Sequence, residues 1–214
     1  MIQRNPWLAS KAAGRRVLHI GCTDYPLTRS RIENKNLLHS LLASRAQSLI
    51  GCDKDDAGLE VMRSLMPQHL FFSVDVETKN AFCAFKKNDF DFVMAPDVLE
   101  HLLNPGLFLE NLHYFSSDTL FIITVPSAFS LKRLGFLALT GREHVHPDHV
   151  AYFSVSTLTR LIEGSGFKIE RFFSFFWENQ TRRNFYINFF LRIISGPRAS
   201  ILADELAVEF KRVC

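Results

Sequence analysis

Residues 143–149 hold three histidines and two carboxylates: Glu143, His144, His146, Asp148 and His149. Imidazole titrates near neutrality, so a histidine beside a bound hydroxyl can take its proton as the oxygen attacks an electrophile. His144, His146 and His149 are the candidates, and the neighbouring pair Tyr152-Phe153 offers a ring surface for an acceptor. Imidazole and carboxylate also bind metals. The spacing here matches no zinc pattern, so no metal is expected. The third reading is structural, with His149 packed under the helix that follows.

A second set stands at the ends of short apolar runs. Gly21 follows Val17–Ile20, Asp53 follows Leu49–Cys52, and Asp75 follows Leu70–Val74. A glycine at a strand end lets a ligand approach the backbone. A carboxylate some 30 residues later can accept hydrogen bonds from both hydroxyls of a ribose. Asp75 would then meet a base or its exocyclic amine. Any one of these acids alone reads as the cap of the next helix. The three in this order favour a nucleoside.

A third set is Asp97, Glu100 and His101. The run Phe90–Ala95 stops at Pro96, and a helical start follows. Spacings of three and four put Glu100 and His101 on the face of Asp97. His101 serves either the ligand or the backbone, by tying this turn to the sheet.

The elements that must position these groups alternate. Strands are predicted at Arg16–Ile20, Ser48–Cys52, Leu70–Val74, Phe90–Ala95, Thr119–Val125 and Lys168–Phe176. Helices are predicted over 36–43, 56–66, from Asn104-Pro105 through Phe115, around 129–139, and from a Ser156 cap to Glu163. Asn104 reads as an N-cap with proline at the first helical position. Strands alternating with helices give an α/β fold with a doubly wound, mostly parallel sheet, whose ligands lie beyond the carboxyl ends of the strands. One domain spans 1–214, with its core over about 15–176 and a C-terminal extension over 177–214. There Leu202, Leu206, Phe210 and Val213 space as an amphipathic helix, and Phe185–Leu191 is either a strand or a helix.

Composition narrows the class. Hydrophobic residues make up 47% and charged residues 22% of 214, as in a globular protein able to bury its own core. The net charge is +3, with eight Lys/Arg against Asp24 and Glu33 in residues 1–45. That bias is too mild, without a motif, to argue for nucleic acid. Cys22, Cys52, Cys83 and Cys214 lack metal spacing and read as thiols in a reducing compartment. Arg4, Lys11, Arg15 and Arg16 have no apolar stretch to make a secretory signal of them, and no run is long enough to span a membrane. A cytoplasmic address is expected. A nicotinamide dinucleotide enzyme is excluded by the missing G-x-G-x-x-G after the first strand.

The segments VLHIGC (17–22), LIGCDKD (49–55), FFSVDVE (71–77), FDFVMAPDVLEHLLNPGLFL (90–109) and LFIITVPS (120–127) resemble class I S-adenosylmethionine-dependent methyltransferases. The similarity covers roughly residues 15–176 and is most specific at VLEHLLNPGLFL. It implies a Rossmann-like methyltransferase fold and S-adenosylmethionine as cofactor, with S-adenosylhomocysteine as product. By that resemblance Gly21 and Cys22 lie along the methionine end, and Asp53 binds the ribose with Lys54 beside it. Asp75 and Val76 flank the adenine, and Ala95, Pro96 and Asp97 line the methyl-transfer edge. EHVHPDHVAYFS with TLTRLIEGSGF resembles enzymes of polysaccharide and cell-surface glycan pathways, which implies a small-molecule or glycan-type acceptor methylated at oxygen. The first loop departs from the family's acid-x-Gly-x-Gly-x-Gly: His19 stands for the acid, and Thr23 and Tyr25 stand where later glycines would be. A non-catalytic binding or scaffold domain is the alternative that this loop supports. The aromatic stretches 172–177 and 185–194, with Arg182, Arg183 and Arg192, read as core, as an acceptor lid, or as a membrane-surface element suited to a lipid-linked glycan.

Overall fold

The computed structural model describes residues 3–143, 145–176 and 202–213. In chain order it contains α1 (Arg4–Ala12), β1 (Arg16–Ile20), α2 (Thr28–Glu33), α3 (Leu38–Ala43), β2 (Ser48–Asp53), α4 (Asp56–Leu65), β3 (Leu70–Ser73) and β4 (Phe92–Pro96). A 3₁₀ turn at Leu99–His101 is followed by α5 (Pro105–Leu112), β5 (Leu120–Pro126), α6 (Leu131–Thr140), α7 (Val155–Gly164), β6 (Phe167–Phe175) and β7 (Glu205–Arg212). The strands form one sheet in the order β3-β2-β1-β4-β5-β7-β6. β1 to β5 run parallel, and β7 runs antiparallel to both β5 and β6.

Alternating side chains of the central strands feed two cores, one on each face. Leu18, Ile20, Val93, Ala95, Phe121 and Ile123 pack with Phe108 and Leu112 of α5 and Leu158 and Ile162 of α7. Val17, Phe92, Met94 and Ile122 face the other way, against Trp7 and Leu8 of α1 and Leu42 of α3. Each fully buried Phe or Leu contributes about 2 kcal/mol by leaving water. This is the doubly wound arrangement expected from the sequence. Asn104 caps α5 as predicted, accepting from the Leu107 amide at 3.1 Å. The cap of α7 is Ser154 rather than Ser156, in a reciprocal box with Thr157.

The C-terminal segment corrects the sequence reading. Residues 205–212 are a strand, not a helix. Leu206 and Phe210 are four apart, which is one face of a helix but also one face of a strand, because four is even. Val208, Leu206 and Phe210 enter the α5/α7 core, while Ala207 enters the α1/α3 core. A helical spacing test alone cannot separate the two patterns. Of the aromatic stretches, 172–176 lies in and at the end of β6. Phe173 and Phe175 pack against Trp7 with tilted rings, their centroids 4.6 and 5.3 Å away. That is the core reading, and it pins α1 to the sheet. Residues 185–194 and the three arginines lie outside the described residues. Among the described residues no helix is long and apolar enough to cross a membrane.

Candidate active site

The strand ends bring the predicted residues to one edge. Ile20 pairs with Cys52, and His19 with Met94, so Gly21, Asp53 and the turn after β4 are neighbours. Their environments differ from expectation in several places. Gly21 has φ +72°, and a Cβ there would stand 2.6 Å from Val98 Cγ2. Val98, rather than open space, covers the glycine. Cys22 is buried against Leu37, Leu59, Met62 and Phe71, so its thiol belongs to the core, and burial pushes its pKa far up. Val76 is likewise a core residue, and Ala95 and Pro96 are buried in β4. At these four positions only backbone atoms remain to meet a ligand. Lys54 and Asp75 are exposed.

Asp53 is already engaged. Its Oδ2 accepts from the Thr23 amide at 3.0 Å and the Thr23 hydroxyl at 2.8 Å, and its Oδ1 accepts from the Asp55 amide at 3.1 Å. A carboxylate offers about four acceptor positions, so three are used and one remains. Gly58 makes room for this loop: a Cβ there would lie 2.9 Å from Thr23 Cβ. Asp75 spends one oxygen on the Glu77 amide at 2.9 Å, as a turn cap.

His19, in place of the family's acid, is buried. Its Nδ1 lies 3.1 Å from Nδ1 of His39 on α3, one ring donating to the other. Burial, then the Arg4 charge, lowers the His19 pKa to about 3. His39 is lowered for the same leading reason, then by His19 and His69. The pair is neutral.

Beyond β4 the chain turns at Asp97, whose φ is +54°. A left-handed non-glycine residue costs about 1 kcal/mol or more. Three contacts hold it: its amide donates to Thr124 O at 2.9 Å, its Oδ1 accepts from Thr124 Oγ1 at 3.1 Å, and its Oδ2 pairs with Arg4. Arg4 also reaches Glu205 Oε1 at 3.1 Å. Sequence reasoning found neither Arg4, Thr124 nor Glu205. Arg4 lies 93 residues from Asp97 and carries no local motif.

Glu100 is fully buried, and neither carboxylate oxygen has a hydrogen-bond partner. Burial first, and the Asp97 charge second, raise its pKa to about 9, so at neutral pH it is a carboxylic acid. Its backbone oxygen accepts from the Val150 and Ala151 amides at 2.9 and 3.3 Å, docking the histidine-rich loop onto the 3₁₀ turn. That docking brings three histidines together. Ring centroids of His101 and His149 are 4.6 Å apart, and those of His146 and His149 are 5.0 Å apart. His101, only half-buried, directs Nδ1 to Asp148 O at 3.0 Å, so it ties the turn to the histidine-rich loop and not to the sheet as expected. His149 Nδ1 is buried without a partner, and burial, then the charges of His101 and His146, lower its pKa to about 4. His146 is exposed, 3.8 Å from Asp148. His144 lies outside the described residues.

These groups open into a cavity of about 580 Å³. Asp97 and Glu100 form one wall and His146 and His149 another, with Glu205 on β7 and Tyr152 completing it. The Arg133 guanidinium lies 4.3 Å from the Tyr152 ring centroid, a cation–π contact that fixes the tyrosine. The cavity combines apolar surface with a few acids and bases, as small-molecule sites commonly do.

A family model described as "Methyltransferase domain" matches residues 3–171. A probable S-adenosylmethionine-dependent methyltransferase of Mycolicibacterium smegmatis is 26% identical over 166 residues, covering 76% of this chain and 56% of the relative. The chain thus spans little more than half the length of that relative. An S-adenosylmethionine-dependent methyltransferase of Archaeoglobus fulgidus superposes with a TM-score of 0.59 at 16% identity, covering 98% of this chain and 95% of the other. Magnesium protoporphyrin IX methyltransferase of Synechocystis, solved with bound S-adenosylhomocysteine, gives 0.59 at 16%, covering 98% and 80%. At such identities the likeness is one of fold.

Proposed function

The chain belongs to the S-adenosylmethionine-dependent methyltransferases, and from that premise we propose that it methylates an oxygen of a hydroxylated small-molecule or glycan-type acceptor held in the cavity beside Asp97. The observation that carries this reading is the cavity itself: it begins at the turn after β4 and is closed on the far side by His146 and His149.

The cofactor edge has the chemistry for a nucleoside. Asp53 keeps an acceptor position for a ribose hydroxyl, and exposed Asp75 can accept from an amine. The methionine end is altered, since neutral His19 offers no charge to an ammonium group. When bound, the cofactor supplies an electrophilic methyl group on a sulfonium. The protein's part is chiefly positioning. Arg4 fixes the direction of Asp97. Tyr152, held by Arg133, gives the acceptor a face to lie on. Protonated Glu100 can donate a hydrogen bond to it. His149 keeps its lone pair free at neutral pH and accepts a hydrogen bond from the acceptor hydroxyl; with a pKa near 4 it is a weak base. Exposed His146 is the residue that carries the proton to water. The cofactor roles of Gly21, Cys22, Val76, Ala95 and Pro96 then reduce to their backbone atoms, and Lys54 to its charge.

The test is release of S-adenosylhomocysteine by the purified chain across matched hydroxyl, amine and acidic-carbon acceptors. Turnover with a hydroxyl acceptor, lost in Tyr152→Ala, is the expected result. Turnover only with amines or carbon acids overturns the oxygen assignment. Tight binding of S-adenosylhomocysteine with no turnover on any acceptor would favour the scaffold alternative, which the altered first loop supports.

A further inference from the structure

We propose that Glu100, His101 and His149 form a binding site for a divalent transition-metal ion of the zinc class. One carboxylate oxygen of Glu100 and one ring nitrogen from each histidine lie within 4.8 Å of one another. The three residues come from two segments, the 3₁₀ turn after β4 and the loop before α7. The two backbone hydrogen bonds to Glu100 O hold those segments together.

Three features point to a ligand rather than to packing. Glu100 is fully buried and both its oxygens lack partners. An unpartnered buried carboxyl costs several kcal/mol unless something binds it. The second feature is His149 Nδ1, also buried without a partner. The third is tautomer control. His101 Nδ1 donates to Asp148 O, which leaves the lone pair on Nε2. An outer hydrogen bond from one ring nitrogen to a carbonyl is how metal-ligating histidines are oriented. Two imidazoles and one carboxylate suit zinc or iron(II) and leave coordination positions open toward solvent or substrate. Glu100 and His149 also line the cavity. A bound ion would draw the three atoms to roughly 3.3 Å separations, set by metal–ligand bonds of about 2.0–2.1 Å.

The charges around the site are mixed. Asp97 and Glu205 are paired with Arg4, while Arg133 lies over Tyr152. Glu100, a neutral acid in the empty site, would release its proton on binding the ion and so add the charge that a dication needs, giving up its donor role toward the acceptor. With the ion present, His149 is a ligand and His146 remains to accept the proton in the proposed reaction. The ion's open positions would favour an acceptor that presents oxygen.

The experiment is metal titration of the chelator-stripped chain, with Zn²⁺ by calorimetry and Co²⁺ by visible absorption. One ion per chain is expected, with Co²⁺ bands typical of nitrogen and oxygen ligands. His149→Ala and Glu100→Gln should each lower affinity by about tenfold or more, with circular dichroism showing an intact fold. Should Glu100→Gln fail to fold, His149→Ala, at a half-buried position, carries the test. No uptake of either ion by the folded chain overturns the site. So does stoichiometric binding that His149→Ala leaves unchanged, because the ion is then held elsewhere. The readout is metal content, so its failure leaves the methyl-transfer reading standing.

Discussion

Thr23 donates twice to one oxygen of Asp53, through its hydroxyl at 2.8 Å and its amide at 3.0 Å. Thr23 thus occupies the carboxylate proposed to hold the ribose. Removing the hydroxyl at constant shape frees an acceptor position. Thr23→Val should tighten S-adenosylhomocysteine binding by about three- to tenfold, the worth of one hydrogen bond of roughly 0.5–1.5 kcal/mol. The same change should cost the fold about 1 kcal/mol. Calorimetric titration and urea unfolding read the two effects. Unchanged affinity would mean that Asp53 does not hold the ribose.

Much of this fold was legible because its central strands are short, apolar and bounded by Gly, Pro or Asp. The order of Gly21, Asp53 and Asp75 survived as an order of strand ends. Their solvent access was not legible, because it depends on what lands above them: Val98 over Gly21, and Thr23 on Asp53. α1 escaped notice because its first turn lacks an acid and Pro6 sits near its start. β7 was misread because four-residue spacing fits both periods. The clustering of His101 with His146 and His149 depends on backbone bonds from Val150 and Ala151 to Glu100, which no local pattern announces.

Arg4 links α1 to Asp97 on the turn after β4 and to Glu205 on β7, and its side chain is 17% exposed beside Glu205 at 6%. Truncation removes the guanidinium that faces both Asp97 and Glu205. Arg4→Met should therefore destabilise by about 2–3 kcal/mol, toward the low end for a broken buried ion pair because Asp97 is partly solvated. Guanidinium unfolding measures this. Arg4→Lys, which keeps the charge without the fork, should recover only part of it. Full stability in Arg4→Met would show that the left-handed turn at Asp97 is held by Thr124 alone.

The His19–His39 pair makes stability depend on acid. Both rings are neutral in the fold, His19 down to about 3 and His39 well below its usual value. The unfolded chain binds these protons from about pH 6.5 downward. It therefore binds more protons than the native state in that window, and stability falls as pH falls. Each histidine contributes a slope of about 1.4 kcal/mol per pH unit, starting near 6.5 and, for His19, ending near 3. Above pH 7 the pair contributes no slope. His19→Leu with His39→Leu should flatten urea midpoints between pH 6.5 and 4.5. An equally steep fall in the double variant would assign the acid sensitivity to other groups.

Gly21 and Val98 should be coupled energetically. Gly21 sits at φ +72°, and the space its missing Cβ would fill is held by Val98 Cγ2 at 2.6 Å. Gly21→Ala meets two costs: about 1–2 kcal/mol for a left-handed alanine, and a clash of about 1–3 kcal/mol. Val98→Ala removes the clashing methyl but not the backbone strain. It should itself cost little more than about 1 kcal/mol, because Val98 is only partly buried. In a double-mutant cycle the pair should then recover about 1–2 kcal/mol relative to additivity, while the strain remains. Val98 directly follows Ala95, Pro96 and Asp97, the proposed methyl-transfer edge. Gly21→Ala alone should thus weaken S-adenosylhomocysteine binding, and adding Val98→Ala should restore it in part. Additive stabilities with no recovery of binding would mean that Val98 moves aside freely, and that the edge stays open without the glycine.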